Sequence, residues 1–299
     1  MDYKFTVRNC HPQDPCDSSA YERLKPGAVF AHMARRPNYN PREDLFFAEV
    51  DGEVRGYVNV LPELRIKRVV LDYVVCLEHG LGPVLTELLR HALERARKLG
   101  VRMAHVGIHS AEAAQAGLLL KLGFNEVRVH YELSLDLSKL VLEVEEVPGV
   151  TCSRLEVGEE GKLVKVQNRC FAGTWGFSPN TVEDIRWRLE GKGNCLDDVI
   201  LASAKGKLIG YCWTLPDCGE DSSTGRRKGQ VYMMGVLPKH RGGGIGRRLL
   251  QAALSHLKSK GREIIDLTVD GVNHRAVRLY YSEGFRLRDK TLWYEKIID

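Results

Sequence analysis

Eleven residues, Val236 to Gly246, read Val-Leu-Pro-Lys-His-Arg-Gly-Gly-Gly-Ile-Gly. Gly242, Gly243 and Gly244 leave backbone N–H groups bare of side chains just where an apolar helical repeat begins at Ile245. The first amides of a helix have no partner within it and lie at the positive end of its dipole, so the stretch suits a diphosphate. A flexible turn without a ligand is the other reading of a glycine triplet. Two further phosphate loops are excluded by spacing. The Lys-Ser/Thr pair of a P-loop is missing, and Arg247 and Leu249 stand where a dinucleotide fingerprint needs glycine or alanine.

Elements on both sides must hold this loop. Upstream, Gln230 to Val236 is short and apolar, as a buried strand is, and Pro238 denies it further ladder bonds. Downstream, Ile245, Leu249, Leu250, Ala253, Leu254 and Leu257 recur at helical spacing until Gly261, which predicts an amphipathic helix of about four turns.

Arg241-x-x-Gly244-x-Gly246, just after Val-x-Pro, resembles the acyl-CoA loop of the GCN5-related N-acetyltransferases (GNATs). A second motif carries the same resemblance: Asn273-x-x-Ala276-x-x-Leu279-Tyr280, closed by Gly284-Phe285. The resemblance implies a mixed α/β (α+β) fold whose sheet is mostly antiparallel and flanked by helices. It implies acetyl-CoA as co-substrate, with the backbone of Met234, Gly235 and Val236 on the pantetheine arm. Arg241, Gly242, Gly243, Gly244, Ile245, Gly246 and Arg247 then surround the diphosphate, and Asn273 bonds the cofactor arm. Tyr280 matches the family's general acid, against the plainer reading of a half-buried aromatic on a helix face, and sits beside Tyr281. The base is less legible. Many relatives carry a glutamate on the strand where this chain has Gln230, which can orient a water but takes up no proton. Asp217 and Asp270 are the substitutes considered, each also readable as a solvated loop acid, and proton loss through waters to bulk is equally open.

The whole chain sets the frame. With 299 residues, 43% apolar and 28% charged, it has the length of two ordinary domains and the composition of a globular protein. No stretch is long enough to span a membrane, and the acid-led N-terminus reads as a first strand and not a secretion signal, so a cytoplasmic protein is expected. Eight scattered cysteines with no Cys-x-x-Cys follow the usage of reduced thiols, and the Cys10-His11 and Cys16-Asp17 gap is wider than metal spacing, so no metal is expected. A net charge of +5 is mild, and Arg226-Arg227-Lys228 reads as a solvated loop, not a nucleic-acid patch.

The two halves repeat. A shift of 161 positions (284 − 123) carries Gly123-Phe124 onto Gly284-Phe285 and Val84, Leu88, Leu89, Ala92, Leu93 and Ala96 onto the apolar positions of the helix at Ile245. Upstream, Gly56-Tyr57 meets Gly210-Tyr211 at a shift of 154 (210 − 56), which places 7 extra residues (161 − 154) in the second copy's Gly219 to Gly229 loop. Two tandem GNAT-like domains are therefore expected, 1–147 and 148–299, with paired strands closing the first near Leu137 and the junction at Glu143 to Gly149. Chemistry is expected in the second alone. Gly80, Pro83, Leu85 and Leu119 stand where it has Arg241, Gly244, Gly246 and Tyr280, and Glu112 where it has Asn273.

This tandem arrangement, with Asn168-Arg-Cys-Phe171, Trp175, Thr181-x-Glu-Asp184 and Gly229-Gln-Val-Tyr-Met-Met-Gly-Val236, is similar to that of the mycothiol synthases, which acetylate the amine of a sugar-linked thiol precursor. The resemblance implies a small-molecule amine acceptor, with a peptide N-terminus, an amino acid, an aminoglycoside or a polyamine as other acceptors. Asp217, Glu220 and Asp221 could furnish an acidic cleft for a polyamine. Phe171 and Trp187 are expected in the core, Trp175 and Phe177 toward a ligand. A non-catalytic acyl-CoA sensor is the alternative function.

Overall fold

The computed structural model describes residues 4–76, 81–140, 142–191, 193–221 and 224–298. The chain forms two compact units, Met1–His130 with Lys290–Asp299, and Tyr131–Asp289. The first holds β1 (Phe5–Asn9), α1 (Pro15–Leu24), α2 (Phe30–Met33), α3 (Pro41–Asp44), β2 (Leu45–Val50), β3 (Glu53–Glu63), β4 (Arg68–Val75), α4 (Leu81–Lys98), β5 (Met103–His109), α5 (Ala113–Lys121) and the first half of β6 (Asn125–Asp136). The second holds the rest of β6, then β7 (Val150–Arg154), α6 (Glu160–Phe171), α7 (Val182–Leu189), β8 (Val199–Ala204), β9 (Lys207–Leu215), β10 (Lys228–Val236), α8 (Ile245–Ser259), β11 (Ile264–Asp270), α9 (His274–Ser282) and the start of β12 (Arg286–Ile297).

In each unit four antiparallel strands (β1-β2-β3-β4 and β7-β8-β9-β10) are followed by one parallel partner, β5 beside β4 and β11 beside β10. The sheet of each is thus mixed and mostly antiparallel. The repeat is also visible in close packing. A Cβ on Gly56 would lie 2.8 Å from the carbonyl oxygen of Val74, and one on Gly210 2.9 Å from that of Gly235, so at both matching positions only glycine lets the neighbouring strand come this near.

The units do not divide at 147/148. Thr291–Ile297 pair with Met103–His109 in the first unit, where Tyr294 and Ile298 join a core with Val84, Leu88 and Leu119. Leu133, Leu135 and Leu137 enter the core of the second unit with Leu249 and Phe285. The paired strands expected before Leu137 are one strand of 12 residues, because Asn-Glu-Val-Arg-Val-His-Tyr-Glu-Leu-Ser-Leu-Asp has no glycine or proline after its first residue to turn on. The strand therefore runs on and gives its later leucines to the second core.

A second correction concerns the 7 extra residues. Arg68 corresponds to Lys228 at a shift of 160 (228 − 68), whereas Val75 corresponds to Val236 at 161 (236 − 75). Six extra residues (160 − 154) therefore lie in the loop, and the seventh is Tyr232, bulged out between Val231 and Met233. β4 pairs with β3 without interruption.

The second unit has two cores on opposite faces of its sheet. One packs α8 and α9 on Val231, Ile265 and Leu267, and the other packs α6 and α7 on Tyr211, Trp213 and Leu237. Asp198, fully buried, pins them together by accepting from Nε2 of His256 at 2.8 Å and from the Cys195 amide at 2.9 Å. Arg154 donates to Nδ1 of His256 at 3.2 Å, and because a guanidinium only donates, the ring proton must sit on Nε2, aimed at Asp198. Burial alone would raise the Asp198 carboxyl. The bonds from His256 and Cys195 outweigh it and hold the group below the ordinary carboxylate range. A folded value below the unfolded one gives stability that is present above about pH 4 and lost as pH falls through the folded value. We expect Asp198→Ala to cost about 3–5 kcal/mol in chemical denaturation at pH 7, because it strands buried polar partners, with the gap to wild type narrowing in acid.

Candidate active site

β10 ends at Val236 because Pro238 begins a short 3-10 turn, Pro238–His240. Gly242 has φ +99° and Gly244, the N-cap of α8, has φ +79°, a left-handed conformation that a side chain disfavours. The α8 ladder opens with Arg248 N donating to the Gly244 carbonyl. For residues 242 to 247 the amides have no hydrogen-bond partner among the described residues. At this loop Gly243 is open on its Cβ side, and Gly246 lies 3.6 Å, by its would-be Cβ, from Leu279 of α9.

The expected arginines are placed differently. Arg241 donates from Nε to the Val236 carbonyl and from NH2 to the Cys170 carbonyl, both at 2.9 Å, so it ties the loop to β10 and to the end of α6. Arg247 pairs with Glu283 at 3.0 Å and donates to Ser282 at 3.1 Å. Both guanidiniums face protein acceptors. Arg275, which the sequence reading passed over, is exposed, with NH2 2.9 Å from where a Gly242 Cβ would sit and no acceptor among the described residues. Its signal was its place two residues after Asn273. We expect Arg275→Gln to weaken CoA binding about tenfold in calorimetric titration and to leave pantetheine, which lacks the diphosphate, unaffected.

β10 and β11 pair from Lys228↔Ile264 to Val231↔Leu267, and no pairing beyond that rung is recorded among the described residues. At that point the Tyr232 bulge puts two successive side chains on the α6/α7 face. Tyr232 meets Trp213 edge-on at 5.5 Å, and the Met233 sulfur accepts from Gln167 at 3.1 Å. Met234 and Val236 pack toward α8, and Gly235 lies against Cys170, whose Cβ is 2.7 Å from the position of a Gly235 Cβ. A bulge at this point re-aims side chains and ends pairing locally.

On α9, Tyr280 is 7% exposed, in one cluster with Ile245 and Leu249 of the first turns of α8, and meets Phe285 edge-on at 5.9 Å. Its aromatic body is core. Burial, and then the Cys212 thiol, push its phenol above the ordinary range, so it carries its proton at neutral pH, as an acid must. Asn273 is the N-cap of α9, its Oδ1 accepting from Ala276 N at 3.3 Å, which leaves its NH2 group for a ligand. Tyr281 is 38% exposed.

The base candidates separate. Gln230 is half-buried, in register with Leu215 and Asp266. Asp217 is exposed on the β9–β10 loop against Gly193, with no hydrogen bond or ion pair to another candidate residue among the described residues. Asp270 accepts from Val272 N in its own turn. Asp221 accepts from the Thr224 amide and hydroxyl at 3.1 Å, so the acidic cleft considered for a polyamine is in part a turn lock. The basic cluster is also engaged, Arg226 with Asp136 at 2.6 Å and Lys228 with Asp266 at 2.7 Å.

The α6–α7 loop is shaped from both ends. Asn168 bonds Asn180 twice at 2.9 Å, and Thr181 with Asp184 forms the capping box of α7. Phe177 stacks on Phe171 at 5.3 Å, and Trp175 is half-buried in the same loop. Phe171 is half-buried and packs against the core under α6 and α7, as expected. Among the described residues no helix is long and apolar enough to cross a membrane.

Comparisons with known proteins bear on the family and the fold. The family model of the acetyltransferase (GNAT) family matches residues 162–285. A mycothiol acetyltransferase of Thermobispora bispora is 31% identical over 220 residues, covering 68% of this chain and 72% of that protein. One of Actinosynnema mirum is 29% identical over 283 residues, covering 90% and 89%. Among solved structures, a GCN5-related N-acetyltransferase from Sphaerobacter thermophilus superposes with a TM-score of 0.74 at 21% identity, covering 98% of this chain and 96% of that one. A tandem GNAT protein from the clavulanic acid biosynthesis pathway gives 0.73 at 15% identity over 99% of each chain.

Proposed function

Because the chain belongs to the GNAT acetyltransferase family, and so is an acyltransferase that uses acyl-CoA, we propose that its second unit takes the acetyl group from acetyl-CoA and delivers it to the primary amine of a small molecule. The observation that supports this reading is the run of amides at residues 242 to 247 without partners among the described residues, at the mouth of α8, whose Ile245 and Leu249 share a core cluster with Tyr280. The free amides and Arg275 fit a diphosphate. Bound acetyl-CoA supplies the acyl group and a sulfur leaving group.

The protein's own groups do the rest. The backbone of Met234 to Val236, next to the bulge, holds the cofactor arm and donates to the thioester oxygen as it gains charge. Tyr280 gives its proton to the departing sulfur. The α6–α7 loop, with Trp175 and Phe177, forms the acceptor side. Relatives named mycothiol acetyltransferases support a small-molecule amine acceptor, and the locking of Asp221 in its turn disfavours a polyamine. The sensor alternative is not favoured, since those relatives are named for transfer.

Incubation with acetyl-CoA and a panel of thiol-sugar, amino-acid, peptide and polyamine acceptors, following free thiol release, tests the reading. Release that depends on a small amine supports it. Tight CoA binding with no release for any acceptor would overturn it.

A further inference from the structure

Acyl transfer to an ammonium needs a proton acceptor, and β10 offers only Gln230 where a carboxylate is expected. Gln230 and Asp266 are register partners on the parallel strands β10 and β11, one rung before their pairing ends. Strand alternation puts both on the α6/α7 face, because Val231, Ile265 and Leu267 point into the α8 core. Lys228 at 2.7 Å and Arg288 at 3.0 Å both bind Oδ2 of Asp266, while Oδ1 is shielded from bulk water and has no hydrogen-bond partner among the described residues. A buried acceptor left without a donor calls for an ordered water or a ligand group.

The first unit provides an internal contrast. At the positions matching Lys228 and Asp266 it has Arg68 and His105, and both ring nitrogens of His105 are engaged, Nδ1 by Arg68 at 3.1 Å and Nε2 by Glu295 at 2.8 Å. The copy without the glycine loop has filled its polar pair. The copy with the loop keeps one oxygen open.

We propose that Asp266 is the proton acceptor of the transferase site, working through a water that the Gln230 carboxamide orients. The proposal rests on the acetyltransferase reading above. The acceptor ammonium loses a proton to the water, which passes one to Oδ1, and Asp266 later returns it through the same water once product has left. The freed amine attacks the thioester carbon, the C–N bond forms and the C–S bond breaks, the thiolate takes the proton of Tyr280, and the second proton shed by the new amide nitrogen returns to the Tyr280 oxygen. Lys228 on β10, Arg288 on β12, and Asp221 and Cys218 in the β9–β10 loop are the charged or titratable groups that face this carboxylate.

The test uses the full-length protein. Asp266→Asn should lower kcat/KM for the amine at least tenfold near neutral pH and flatten the acid limb of the pH profile, with CoA affinity in titration unchanged. Adding Gln230→Glu to that variant should restore much of the rate, since it returns a carboxylate to the adjacent rung on the same face. Lys228→Gln, which breaks the same ion pair but keeps the carboxylate, should retain most of the activity and controls for a lower melting temperature. A wild-type rate and pH profile in Asp266→Asn would overturn the proposal, as would equal losses in Lys228→Gln and Asp266→Asn with no rescue by Gln230→Glu. Neither touches the acetyltransferase reading, which falls only if the wild type releases no thiol with any amine.

Discussion

Replacing Tyr280 by phenylalanine is expected to lower turnover by roughly tenfold to a thousandfold while leaving acyl-CoA affinity nearly unchanged, the usual worth of a single acid–base group. The substitution is clean because the ring does structural work that phenylalanine keeps. It fills the cluster around Ile245 and Leu249 and meets Phe285 edge-on, and no hydrogen bond to its hydroxyl is recorded among the described residues. The variant should therefore melt within a degree or two of wild type, so that a fall in rate cannot be assigned to unfolding. Single-turnover acyl transfer and CoA titration on the same sample separate chemistry from binding. Tyr281→Phe, at an exposed position one residue on, should be silent. A fully active Tyr280→Phe enzyme would remove the phenol from the mechanism and leave its retention to packing alone.

What could be read beforehand follows from how local each feature is. The glycine loop, α8 and α9 are written in contiguous residues, in a helical period from Ile245 to Leu257 and in Asn273 as N-cap, so their positions emerge without knowing the fold. The repeat is legible for the same reason, since the same period recurs at Val84 to Ala96. Strand partners are not local. Nothing within Asn125–Asp136 says that its later leucines complete the second core, and nothing in the last strand says that Tyr294 completes the first. The bulge at Tyr232 adds one residue to one strand and is visible only when two registers are compared. Asp266 went unnoticed because it is 36 positions (266 − 230) from Gln230 and becomes its neighbour only through parallel pairing. The charge of Arg241 and Arg247 is legible at the loop, but not what each guanidinium meets in the folded chain, which is the Val236 and Cys170 carbonyls and Glu283.

Titration with CoA should saturate at one molecule per chain, and Gly244→Val should weaken that single site by about tenfold or more without revealing another of similar strength. The stoichiometry follows from what the first unit has become. Its strand β4 lacks the bulge, the position of Tyr280 is taken by Leu119, which is fully buried in the core, and Pro83, which has no amide to offer an anion, lies in the first turn of α4 where the second copy has Gly244. The counterpart of the glycine loop around Gly80 lies outside the described residues. The effect of the substitution follows from φ +79° at Gly244, where a Cβ costs about 1–2 kcal/mol and a β-branched side chain more. A chain that relaxes out of that conformation turns the amides of residues 245 to 247 away from a common point, and about 1.4 kcal/mol of lost interaction is already tenfold in affinity. Because Ile245, Leu249 and Leu250 still anchor α8 in its core, the helix should persist, and circular dichroism should show it. Two equivalents bound to wild type, or one equivalent that survives Gly244→Val unchanged, would place the diphosphate elsewhere than at the mouth of α8.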